Sequence, residues 1–235
     1  MIVGFCLSTG SHLAARERQR SELRPVSFPA MPVPPIDASR DDAELARLKE
    51  TLLAAARARS FVMLKPVMAE RVRLALHDFK MRDEAARQMS EWEPEASEAF
   101  WRNLENALTH GFAVTDAESA VAPYAAAAGM KCAYAPGASC AAIMGTRVIV
   151  RAAPRSYAPV VAVVSHEVVG APTTGVPEGP AEPAGGYRYQ WVEVVTSSGK
   201  VGFVSEKFVY ADLGLVFEFR KEKGQWRFAG MTSGD

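Results

Sequence analysis

The chain has 235 residues, enough for one large domain or two small ones. Apolar residues make up 49% and charged residues 23%, which excludes the disordered class. Lys plus Arg equal Asp plus Glu at 27 each, which argues against a nucleic-acid binder with its basic excess or stripe.

No stretch reaches the ~20 consecutive apolar residues that cross a bilayer as a helix, so no integral membrane span is expected. The first ten residues are apolar but lack the basic lead and small-residue cleavage site of a secretory signal. They fit a cytoplasmic start, or the remnant of a longer leader ending near Leu13; the remnant is the preferred expectation. Pro25, Pro29, Pro32, Pro34 and Pro35 follow, a density that excludes helix and favours an extended linker. Pro29-Ala-Met-Pro32 fits the P-x-x-P pattern of SH3 ligands, but a plain linker is the simpler reading. Residues 1–37 are thus read as leader remnant and linker.

Three helices are predicted next, making a helical domain over 38–128. The first, 39–59, opens on the capping pair Ser39 and Asp42, and Leu45, Leu48, Leu52 and Ala55 share one face. The second, 66–89, has Pro66 in its first turn and Met68, Val72, Leu76 and Phe79 on its buried side. The third, 94–110, starts at Pro94 with Glu95 and Glu98 near the positive end. It stops at His110-Gly111 and buries Phe100, Trp101, Leu104, Ala107 and Leu108. Residues 120–145, rich in alanine at first, read as a connection.

Of the three cysteines, Cys6 lies in the doubtful leader, while Cys132 and Cys140 flank the turn signal Pro136-Gly137. A Cys132–Cys140 disulfide would imply an oxidising compartment; two unpaired thiols in a loop are the alternative. No Cys or His stands nearby at ligand spacing, so no metal is expected.

From 145 to 212, short β-branched runs alternate with turn signals: 147–153, 159–164, 189–195 and 201–204, ending in Ser205-Glu-Lys-Phe-Val-Tyr210. Residues 170–186 read as a long irregular insertion rich in Gly and Pro. The order Val148-Ile-Val-Arg151, Pro159-Val-Val, Trp191-Val-Glu-Val and Gly202-Phe-Val resembles the bacterial SH3-like (SH3b) domain. The segment Phe100-Trp101 to Leu108, with Pro123-Tyr124, resembles the helical domain preceding that module in a family of bacterial SH3 domain-containing proteins. That resemblance implies export and a binding role. Residues 213–235 form a hairpin, Leu215–Glu222 and Gln225–Met231 about Lys223-Gly224, which needs something to pack on. The expected fold class is therefore α+β: an N-terminal helical domain, a small SH3-like β-barrel, and a C-terminal hairpin on either.

Catalytic patterns are absent. His12, His77, His110 and His166 have no second ligand at metal spacing. Ser165-His166-Glu167 cannot form a triad, because neighbours in an extended chain point to opposite faces. Neither G-x-G-x-x-G nor a Walker sequence occurs, so no cofactor is expected. Aromatics with polar tips are the binding candidates: Tyr157, Tyr187, Tyr189, Trp191 and Phe203, with Trp191 and Phe203 also wanted for the barrel core. The sequence thus leads to a non-catalytic module of the periplasm or cell envelope, recognising a peptide, a peptidoglycan fragment or a partner protein. A cytoplasmic scaffold is the alternative, and a cell-wall hydrolase using Cys132 and His166 is a third reading.

Overall fold

The computed structural model describes residues 26–130, 133–134, 139–171, 178–184, 187–211 and 214–233. Helices α1 (Ala43–Ala58), α2 (Phe61–Leu64), α3 (Arg82–Ser90) and α4 (Pro94–His110) occupy the first half. Strands β1 (Met68–Ala75), β2 (Asp78–Met81), β3 (Ala113–Asp116) and β4 (Ser119–Ala122) lie among and after them. Strands β5 (Ser139–Ile143), β6 (Val148–Arg151), β7 (Val160–Val164) and β8 (Val168–Ala171) follow. The chain closes with β9 (Glu178–Ala184), β10 (Tyr187–Val195), β11 (Val201–Ser205), β12 (Val209–Ala211), β13 (Leu215–Glu222) and β14 (Gln225–Ser233).

The first and third predicted helices form where their caps and periodicity place them. Asp42 caps α1 by accepting from the Glu44 and Leu45 amides, both at 3.0 Å, and Arg59 ends it in the left-handed region. Ser39 belongs instead to a short 3-10 turn capped by Asp37. Helix α4 spans the predicted residues and buries the predicted face.

The second predicted helix does not exist. Residues 68–81 fold as the β1–β2 hairpin, and only 82–90 are helical. Met68 and Val72 satisfy helical spacing, but Val72 and Leu74 equally satisfy alternation, and the second half of β1 buries those two while Arg73 and Ala75 are less covered. Leu76 and Phe79, assigned to the buried side, are 37% and 44% exposed. What decides the matter is a distant partner: β1 pairs in parallel with β14, and a local window contains no trace of it.

The expected fold class is thereby corrected. There is no separate helical domain, and the C-terminal hairpin is no appendage. Strands β13 and β14 are the centre of a six-stranded sheet ordered β2-β1-β14-β13-β4-β3, with the helices packed on one face. Trp101, Phe112, Phe217, Phe219 and Phe228 are all below 2% exposed in that core, and the Phe112 and Phe219 rings meet edge-on at 4.8 Å. Gly230 lets β14 approach β1, since a Cβ there would run into the Arg73 carbonyl oxygen. Residues 113–122, placed in the helical domain with the connection beginning at 120, supply β3 and β4 on the edge.

Nor is the second unit a small SH3-like barrel. It is an eight-stranded sheet ordered β12-β5-β8-β10-β11-β6-β7, with β9 also on β10. The predicted strands appear as β6, β7, β10 and β11. Strands β5 and β8 arise in segments read as loop, Ser139-Cys-Ala-Ala-Ile and Val168-Val-Gly-Ala, because small residues buried on both faces show no alternation. Val148, Val150, Val164, Val194 and Val204 fill its core.

The proline-rich segment runs along both layers as a strap. The Phe28 amide donates to Ser197 O at 2.9 Å, the Val33 amide to His166 O at 2.7 Å, and the Val168 amide to Met31 O at 2.9 Å. Asp37 then joins Lys49 at 2.6 Å and accepts from the Phe112 amide at 3.3 Å. Val33 and Phe28 are buried, which a solvated linker would not be.

Candidate functional site

On the sheet containing β6, β10 and β11, antiparallel partners share a face. Trp191 lies opposite Ser205, Glu193 opposite Phe203, and Phe203 opposite Arg151. Ile149, two residues before Arg151, joins them. The valine core lies on the other face. Trp191 and Phe203 are each only 5% exposed, yet neither belongs to that core.

A pocket of about 310 Å³ opens on this face. Arg147 just before β6, Arg151 at its end and Lys207 from the 3-10 turn after β11 contribute its charge. Ser156, Ser205 and Trp191 add polar groups, and Ile149 and Phe208 add apolar wall. Gly202 lets β11 lie close to β6, because a Cβ there would come within 2.7 Å of Arg151 O.

Two features distinguish the surroundings of the pocket. The first is the buried Trp191 indole N–H, which has no hydrogen-bond partner among the described residues; such a group costs about 1–3 kcal/mol. The second is that, among the described residues, none of the three cations pairs with a carboxylate. Arg151 Nη1 donates to Ala158 O at 2.8 Å, and Lys207 Nζ stands 4.8 Å from the centre of the Phe208 ring. Glu206, between two lining residues, does not itself line the pocket, and its Oε1 is also buried without a partner among the described residues.

The pocket's floor is tied to the first layer. His110, ending α4, donates from Nε2 to Lys207 O at 2.8 Å, and burial holds its imidazole below the usual range. His166 sits at the strap. Tyr124 Oη donates to Val33 O at 3.3 Å and lies 2.9 Å from His166 Nδ1, while Thr146 Oγ1 lies 3.1 Å from Nε2. A hydroxyl has one hydrogen, so Nδ1 carries the proton to Oη and Nε2 accepts from Thr146. Burial pushes the Tyr124 phenol up to about 12 and the His166 imidazole down.

The aromatic candidates disperse. Trp191 lines the pocket and Phe203 is buried on the same face. Tyr189, expected at the surface, is 8% exposed in the core of the helix-backed layer, and burial raises its phenol. Tyr157 is 78% exposed under the Arg155 guanidinium, 5.0 Å away. The Tyr187 side chain and Cys132 lie outside the described residues. Cys140 is disulfide-bonded, its expected partner being Cys132. Arg147 and Lys207 were not singled out by sequence as site residues: Arg147 precedes β6 in a left-handed conformation, where strand alternation does not fix its face, and Lys207 lies in a turn.

No group of His, Cys, Asp and Glu that could hold a metal occurs among the described residues, and no helix there is long and apolar enough to cross a membrane. No family model matches the chain, and no curated protein matches it. A search of solved structures returned a designed NTF2-like protein, a variant of Rd1NTF2, at 13% identity and a TM-score of 0.25. That match covers 83% of this chain and 99% of the designed one, and is too weak to carry fold or function across.

Proposed function

We propose that this protein is a non-catalytic binding protein of an oxidising compartment, the bacterial cell envelope, and that an anionic ligand seats in the pocket beside Trp191. The buried, unpartnered Trp191 indole N–H carries this reading. An acceptor that reaches it recovers a hydrogen bond, and a negative charge in the pocket meets three lining cations that have no carboxylate partner among the described residues. The Cys140 disulfide supports the compartment, since such bonds persist where thiols are not kept reduced. For the hydrolase alternative, both ring nitrogens of His166 are already occupied, by Tyr124 and Thr146.

The test is the indole resonance of Trp191 in labelled protein, titrated with carboxylates and soluble cell-wall peptides. Binding moves that resonance, and Lys207→Ala abolishes the movement while stability stays within about 0.5 kcal/mol of wild type. A resonance that none of these anions moves up to about 10 mM, affinities weaker than ~3 kcal/mol, sinks the proposal.

A further inference from the structure

We infer that the anion is the terminal carboxylate of an extended peptide, whose apolar side chains lie on the β6–β7 hairpin outside the pocket; this rests on the anionic reading above. The pocket is at the lower end of the ~300–1,000 Å³ range of ligand sites, so it takes a chain end and not a loop. Arg147 and Arg151 suit a planar carboxylate, which a guanidinium fork grips through two parallel bonds.

The neighbouring surface argues that the carboxylate arrives attached to something apolar. Ile149, part of the pocket wall, pairs directly with Val163, and Arg151 pairs with Val160. These three apolar side chains are 40%, 52% and 55% exposed on the face that carries Arg151. Ser156 lines the pocket, and its neighbour Tyr157 stands 78% exposed. Strand β7 ends the sheet order and itself carries no charged residue; Lys200 reaches its backbone at Val161 O, 3.4 Å away, and leaves the valine side chains exposed. A free phosphate would use the cations and leave this strip bare. A second copy docking two-fold on this face would set three cations against three cations. A peptide with a free carboxyl end uses both features.

The probe is a short peptide ending in a free carboxylate after an apolar residue, compared with its C-terminal amide, acetate and inorganic phosphate. The free acid should bind at least about tenfold tighter than acetate or phosphate, and amidation should remove the difference. Val163→Lys, at an exposed position, should lower peptide affinity about tenfold and leave acetate binding unchanged; Ile149→Thr checks the same strip through a milder change. Equal binding by amide and acid, phosphate binding as tight as the peptide's, or strip variants without effect would each overturn the inference. If acetate or phosphate still moves the Trp191 resonance in those cases, the anionic reading stands without it. If no probe moves that resonance, both fall together.

Discussion

Three tryptophans show how the two layers differ. In the helix-backed layer, Trp226 donates from Nε1 to Asp42 Oδ2 at 2.8 Å, joining the last strand to the cap of α1. Trp101 has no partner for its N–H among the described residues, in a closed aromatic core at 0% exposure where only packing bears on it. Trp191, in the second layer, is equally unpartnered but borders an open pocket among cations. An orphan donor is therefore informative only together with access and complementary charge. The first layer gives its polar groups to holding strands and helices together; the second leaves them facing a cavity.

The sharpest way to break this comparison is to attack the layer assigned to stability. Phe228→Ala, at 0% exposure between α4 and the central strands, should cost about 3–5 kcal/mol in urea unfolding. A loss below about 1 kcal/mol would mean that the hairpin is an appendage after all.

A smaller effect separates the two kinds of indole. Asp42→Ala removes the cap of α1 and orphans Trp226, an expected loss of about 1–3 kcal/mol at pH 7. Asp42→Asn keeps the cap but faces the indole with an amide nitrogen, so it should cost only part of that. The Leu45 amide, and then Trp226, hold the Asp42 carboxyl below its usual range. Its contribution is accordingly complete above the unfolded value of about 4 and lost as pH falls through the lower folded value. The gap between wild type and Asp42→Asn should close in that window; a gap independent of pH would remove the charge from the account.

The mildest effect concerns the joint between layers. Burial holds His110 and His166 below the usual imidazole range, so both are neutral in the fold. The stability this confers is complete above the unfolded value of about 6.5 and is lost as pH falls through the folded values. Amide exchange at Val33 and Val168, which hold the strap, should therefore quicken between pH 7 and pH 5 after correction for intrinsic rates. Core amides of α1 should not follow, and uniform acceleration would show the joint to be no weaker than the rest.

Local signals were sufficient wherever a segment's own residues decide its conformation. The Pro94 start and Gly111 stop of α4, the Lys223-Gly224 turn, and strands β6, β7, β10 and β11 were all legible. So were the apolar faces of α1 and α4, since a 3.6-residue period needs no knowledge of the partner. The site was legible in one member, Trp191. Its closure was not, because Lys207 reaches the pocket from a turn whose position depends on the bond from His110, 97 residues away.

By itself, then, the sequence determined the two outer helices, the alternating strands, the final hairpin and the absence of a long apolar span. Only the tertiary structure decided that residues 68–81 are strands, that the hairpin is the middle of a sheet, and that the proline-rich segment is a strap. Each of those outcomes depends on hydrogen bonds to residues far along the chain: β1 to β14, β4 to β13, Val33 to His166. A short apolar segment with both helical and alternating spacing has no preference of its own, and the strand that reaches it first in space supplies one.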